Sequence, residues 1–352
     1  MFVKNLKDMK HISYPKIQQF RNIVQAINRE ASYVGADDNG EPVYDPLQPK
    51  PTLEFTGTVK LHGTNASVCF NSIDGFWAQS RKNIITVDKD NAGFAFFAYN
   101  NKIEFCSLID KIVNDHQIDT NNYTVSIYGE WAGKGIQKGV GISEIEKAFF
   151  IFGVKVSHIS DNTVPSYWLE SSELRFNEKR IYNIEDFQTY RVIVDFGEPQ
   201  MSQNKFIEIT EQVEKECPVA LFFGIKESVG EGVVWSTEYN GNVHRFKVKG
   251  EKHSVSRVKK LASVDTEKLE SIKSFVDYAV TENRFNQAIE SIFGDGDLDI
   301  TKMGDLLRWM VKDIASEEMD VMADNNLEPR DVNKYISHKT REMFFELQKT
   351  FS

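Results

Sequence analysis

Apolar residues first recur at helical spacing at Ile17, Phe20, Val24 and Ile27. Ser13 and Pro15 suit a helix start, so the pattern predicts a helix over residues 14–30. Residues 35–51 (GADDNGEPVYDPLQPKP) are rich in Gly, Pro, Asp and Asn and read as a loop. From about 52 the period changes to two. Leu53, Phe55, Val59 and Leu61 fall on one face of a strand, and Thr58, Lys60 and His62 on the other. Further strand patterns lie at 66–70, 124–130, 148–156, 219–223, 232–236 and 243–248. From about 262 the helical period returns, first through Leu269, Ile272, Val276, Ala279 and Val280. Met303, Leu306, Leu307, Met310, Val311 and Ile314 mark the next helix, and Val332, Tyr335, Ile336, Met343, Phe344 and Leu347 another. Short strands with scattered helices predict an α+β core of mainly antiparallel sheets. The divisions expected are an N-terminal helix and loop extension (1–50), the β-rich core domain (51–261) and an all-helical C-terminal domain (262–352).

Composition narrows the class. A chain of 352 residues suggests roughly two domains. With 41% hydrophobic residues it is too apolar for a disordered chain. No run approaches the roughly 20 apolar residues of a membrane span, so no membrane partner is expected. The opening MFVKNLKDMKHISYPK has no apolar core, so no secretory leader is expected either. Cys69, Cys106 and Cys217 lie far apart without a CxxC. They exclude a disulfide framework and a cysteine-rich zinc site, and fit a reducing, cytoplasmic setting. The net charge of −10 argues against a broadly basic coat for nucleic acid, but not against a local patch. Between 245 and 260 stand Arg245, Lys247, Lys249, Lys252, Arg257, Lys259 and Lys260 against a single acid, Glu251.

Three features could carry chemistry. Lys60 ends a strand pattern and is followed by His62-Gly63-Thr64-Asn65, a turn-forming run. It therefore points away from the apolar face, though an isolated lysine there is far more often a solvated edge residue. Arg245, Lys247 and Lys249 alternate with Phe246 and Val248, which puts three cations on one strand face about 7 Å apart per step. Like charges so placed repel unless an anion sits over them, and they can depress the pKa of a nearby lysine. Glu130 and Glu231 each end or begin a strand pattern beside a small residue, suited to a sugar hydroxyl or a Mg²⁺ ion. A Walker loop, GxGxxG, GxSxG and HExxH are all absent from the sequence. GDGDLD (294–299) imitates the start of a calcium loop, but Ile300 and Leu306 stand where Gly and Glu are needed, so a turn opening a helix is the better reading.

In chain order these segments resemble the covalent nucleotidyltransferases, the ATP-dependent ligases and capping guanylyltransferases. The likeness is greatest to the RNA ligase 2 branch of phage enzymes, which includes the RNA-editing ligases. Lys60-Leu61-His62-Gly63-Thr64-Asn65 resembles the nucleophile motif and Ser80-Arg81-Lys82-Asn83 the short arginine motif. Tyr128-Gly129-Glu130-Trp131-Ala132-Gly133 resembles the ribose-binding segment, and Phe149-Phe150-Ile151-Phe152 the adenine-stacking strand. Glu231-Gly232-Val233-Val234 resembles the metal-binding motif and Lys247-Val248-Lys249 the final lysine pair. The likeness spans about residues 52–254 and implies a nucleotidyltransferase (ATP-grasp-like) domain of antiparallel sheets flanked by helices.

It also implies roles. Lys60 would attack ATP to form lysyl-AMP, and Leu61, His62 and Asn65 would lie at the nucleotide. Arg81 and Glu130 would hold the ribose, and Phe152 would stack on adenine. Glu231 would engage Mg²⁺ or Mn²⁺, while Lys247 and Lys249 would contact the AMP phosphate. The partner implied is RNA with 5′-phosphate and 3′-hydroxyl ends, such as a nicked duplex. Val59 and Gly153 depart from the pattern, since the phage enzyme carries acids there. A helical tail in place of a small β-barrel disfavours a DNA ligase or a capping guanylyltransferase. An inactive nucleotide- or RNA-binding module is the non-enzymatic alternative, disfavoured by the intact lysines and acids.

Overall fold

The computed structural model describes residues 9–37, 39–250, 266–294, 298–325 and 327–350. In chain order, helix α1 (Phe20–Ser32) leads into a hairpin, β1 (Tyr33–Ala36) and β2 (Pro42–Tyr44). There follow β3 (Thr52–Lys60), β4 (Thr64–Asn71), β5 (Gly75–Ser80), β6 (Ile84–Ile85), α2 (Phe94–Asn100) and α3 (Lys102–His116). Next come β7 (Tyr123–Ala132), β8 (Ala148–His158), β9 (Tyr167–Leu169), β10 (Ile181–Asn183) and β11 (Thr189–Asp195). The β-rich part closes with α4 (Gln203–Lys215), α5 (Pro218–Phe222), β12 (Gly232–Tyr239) and β13 (Asn242–Lys249). Among the described residues, five helices follow: α6 (Thr266–Ala279), α7 (Glu282–Phe293), α8 (Met303–Glu317), α9 (Met319–Asp324) and α10 (Pro329–Thr350).

Two compact units result. One takes the described residues of 1–30 and 50–259, the other those of 31–49 and 260–352. The first is α+β. Its smaller sheet has the order β11-β3-β12-β13 and its larger one β10-β8-β7-β4-β5-β6, with β9 on β8. All pairs are antiparallel except β8 with β10. The inner face of the small sheet is apolar, with Phe55, Val59, Val233, Trp235 and Phe246 buried together with Phe206 of α4 and Ile23 and Ile27 of α1. A second core lies between the large sheet and helices α2 and α3, around Phe94, Phe105, Ile109 and Phe149. Burying aromatic groups of this size, at roughly 25 cal/mol per Å² of apolar surface, holds the layers together. The second unit is a helical bundle around Ile272, Phe275, Leu306, Met310, Ile336 and Phe344.

Some elements depart from the sequence pattern. The first helix begins at Phe20 rather than at 14. Residues before it are extended because strand side chains claim their backbone. Gln79 exchanges two hydrogen bonds with Ile12, Tyr128 Oη donates to the Ile12 carbonyl at 2.6 Å, and the Gln18 amide donates to the Arg245 carbonyl at 3.3 Å. The predicted loop at 35–51 contains strand residues of the β1–β2 hairpin. Residues 218–222 form a helix instead of a strand: Pro218 takes the first helical position, where its missing N–H costs nothing. Asp299 caps a turn leading into α8, accepting from the Thr301 amide at 2.9 Å, as a helix start rather than a calcium loop requires. Lys252, Arg257, Lys259 and Lys260 of the basic window lie outside the described residues.

Candidate active site

Strand register builds the site. Lys60 at the end of β3 pairs with Gly232 of β12, which pairs in turn with Lys249 of β13. One step along, Thr58, Val234 and Lys247 form a parallel row, and Ser236 faces Arg245 a step further. Directly opposed residues share a sheet face, so the polar side of the small sheet carries Lys60, Lys247, Lys249 and Arg245 together. Gly232 has φ of +147°, and a Cβ there would lie 2.2 Å from the Val248 carbonyl. Gly232 itself puts no side chain between the two flanking lysines. The Glu231 carboxylate fills the gap: Lys60 Nζ lies 2.5 Å from Oε2, Lys249 Nζ 2.7 Å from Oε1, and His62 Nδ1 3.3 Å from Oε2. That carboxylate is 1% exposed. Burial alone would raise its pKa, but Lys60 and Lys249 outweigh it and hold the group below the usual carboxylate range.

The large sheet supplies the facing wall. Asn65, second residue of β4, stands opposite Glu130 of β7, and Glu130 stands opposite Phe150 of β8. The β7–β8 register slips between Tyr128 and Gly129, so Phe152 is an extra residue between Ile151 and Gly153. Such a bulge re-aims a side chain, and here Phe152 lines the cleft. Gly63 packs so closely that a Cβ would lie 2.4 Å from the Trp131 carbonyl, and its amide donates to Glu130 Oε1 at 2.9 Å. Burial pushes the Glu130 carboxyl up to about 7, against the opposing pull of Lys60, the Gly63 amide and Arg81 and with a smaller push from Glu231.

Between the walls runs a cleft of about 360 Å³. Lys60, Leu61, Asn65, Arg81, Glu130, Phe152 and Lys247, among the residues assigned roles from the sequence, line it. His62, Glu231 and Lys249 do not line it. They form the ion-paired cluster beside Lys60. The repulsion expected along β13 acts on Lys247: burial lowers its pKa first, then Lys249 and Lys60. Sequence reasoning missed Tyr14, Lys16, Ile17, Ile184, Glu185 and Ser236 as cleft residues. Arg245 was visible in the basic row but not as a cleft group. It stacks on the Trp168 ring, 4.1 Å from the centroid.

Among the described residues no cluster of three or more His, Cys, Asp or Glu could cage a metal ion, and no helix is long and apolar enough to cross a membrane. A family model described as RNA ligase matches residues 53–249, more than half of the chain. The chain belongs to the RNA ligase family. The match runs from β3 through β13 and so takes in every residue of the lysine–glutamate cluster. No curated protein matches the chain. Solved structures of Naegleria gruberi RNA ligase are similar. One, a variant with ATP and Mn, has 14% identity and a TM-score of 0.43, covering 69% of this chain and 57% of that one. Another, with AMP and Mn, has 14% identity, a TM-score of 0.42 and the same coverage. This chain therefore spans little more than half the length of the Naegleria ligase.

Proposed function

We propose that this member of the RNA ligase family is an ATP-dependent enzyme joining RNA 3′-hydroxyl and 5′-phosphate ends through a lysyl-AMP intermediate on Lys60. The observation that carries this reading is the placement of Lys60 at the cleft wall, with one strand between it and Lys249, to which Glu231 bridges it. In the first step the Lys60 nitrogen bonds to the α-phosphorus of ATP, the bond to pyrophosphate breaks, and the amine proton passes to solvent. The Lys60–Glu231 contact must open for the nitrogen lone pair to attack. Lys247, lining the cleft two residues from Lys249 on the same strand face, is placed to stabilise charge growing on the phosphate, which is the main task of a protein in such transfers. Arg81 and Glu130 hold the ribose and Phe152 offers its ring to the base. Glu231 would hold a divalent cation once it releases Lys60 and Lys249, since Mg²⁺ takes one or two carboxylates together with substrate phosphates. Such an ion, when bound, would neutralise triphosphate charge. AMP then passes to the RNA 5′-phosphate, and attack by the 3′-hydroxyl seals the strand and releases AMP.

The experiment is sealing of 5′-phosphorylated nicked and single-stranded RNA by the full chain with ATP and Mg²⁺. Joined RNA with release of AMP is the expected outcome. Joining of DNA ends alone would make it a DNA ligase. Reaction with GTP but not ATP would move it to capping chemistry, and no reaction with either nucleotide would leave a binding module.

A further inference from the structure

Two cations of the small sheet, Lys60 and Lys249, share the Glu231 carboxylate. Arg245, on the same sheet face, has no ion-pair partner among the described residues. It is half-buried, and a charge withdrawn from water is normally paired. A ring holds it instead: the guanidinium carbon lies over Trp168 of β9, 4.1 Å from the centroid. Such a seat fixes the guanidinium but uses none of its N–H donors, which stay available to a third group. Arg245 lines the cleft.

Position along the strand decides which part of a nucleotide it meets. The row Lys60–Gly232–Lys249 is followed by Thr58–Val234–Lys247 and then by Thr56–Ser236–Arg245. Two such steps put the backbone of Arg245 about 14 Å from that of Lys249. Around it the rings of Trp168, Tyr14 and Phe152 make a continuous run, with Tyr14 5.4 Å from Trp168 and 5.1 Å from Phe152. Gly153, next to Phe152, leaves room for the indole, since a Cβ there would lie 3.3 Å from it. Arg245 thus stands at the Phe152 end of the cleft, away from the phosphorus that Lys60 would attack.

We propose that Arg245 is a specificity-determining residue that reads the base: from its seat on Trp168 it donates a hydrogen bond to a ring-nitrogen acceptor of adenine while the base lies on Phe152. This rests on the reading of the cleft as an ATP site. A base lacking that acceptor leaves the guanidinium unpaired, and a site with a polar group built to pair the substrate discriminates by that mismatch.

The test compares ATP with 1-deaza-, 3-deaza- and 7-deaza-ATP, each lacking one ring nitrogen, in formation of the protein–nucleotide adduct by the full chain and by Arg245→Met. In the parent, KM for one of the three analogues should exceed that for ATP about 10-fold with kcat little changed, the effect of roughly one hydrogen bond from a charged group. Arg245→Met should raise KM for ATP by a similar factor and leave KM for that analogue unchanged, so the preference between the two collapses. The parent series is read without the variant, so a variant that failed to fold would not shield the proposal. A parent that treats all three analogues like ATP would overturn the assignment. So would a variant that loses the same factor with all four nucleotides, as a guanidinium acting on the phosphates would give. If the parent formed no adduct with ATP itself, the reading of the cleft would fall and this proposal with it, which keeps the two failures apart.

Discussion

Glu130 shows how a single residue is tuned by its surroundings. Its carboxyl is pushed up to about 7 by burial, from an ordinary value of 4.5. The unfolded chain therefore gives up this proton at lower pH than the folded one. Below about 4.5 both states hold the proton and the group contributes nothing. Between about 4.5 and about 7 the unfolded state binds fewer protons, so stability falls as pH rises, and above that the loss is complete, at most about 3 kcal/mol. Glu130→Gln keeps an acceptor for the Gly63 amide and removes the titration. Melting temperatures of the nucleotide-free parent should therefore fall behind those of the variant as pH is raised through this window, and a pH-independent gap would contradict the assignment. At this scale the site was partly legible. Lys60, Glu130 and Glu231 stood out because the strand period put them beside turns or small residues. Tyr14 did not, because nothing in HISYPK announces an extended segment whose backbone is held by Gln79 and Tyr128.

At the scale of elements, the β3-β12-β13 rows depend on Gly232. A methyl group there would strike the Val248 carbonyl in a backbone conformation that L side chains avoid. Gly232→Ala is expected to cost about 2–4 kcal/mol in urea unfolding and to spread Lys249 from Glu231. Unchanged stability would mean that the strands absorb the methyl group and that their spacing is not what fixes the cluster. Strands with one apolar face, β3 above all, were readable because alternation marks a half-buried sheet. β5 was missed since its middle four residues, Phe76, Trp77, Ala78 and Gln79, are all buried and show no alternation. Helix α3 carries a helical period in Phe105, Leu108, Ile109 and Ile112. The bulge at Phe152 follows from pairing with β7, which no local pattern in β8 encodes.

For the whole molecule, the α+β class and the helical C-terminal stretch follow from where the hydrophobic period changes. That residues 31–49 group with the helices does not, since only long-range packing decides it. The net charge of −10 hid the cationic cleft, because charge acts by position and not by sum. The central claim is that one amine in that cleft becomes covalently charged with AMP. Intact-mass analysis after incubation with ATP and Mg²⁺, followed by peptide mapping, tests it most directly. An acid-labile gain of one adenylyl group is expected on the peptide carrying Lys60, lost in Lys60→Ala. An adduct that persists in that variant, or maps to another lysine, would contradict it.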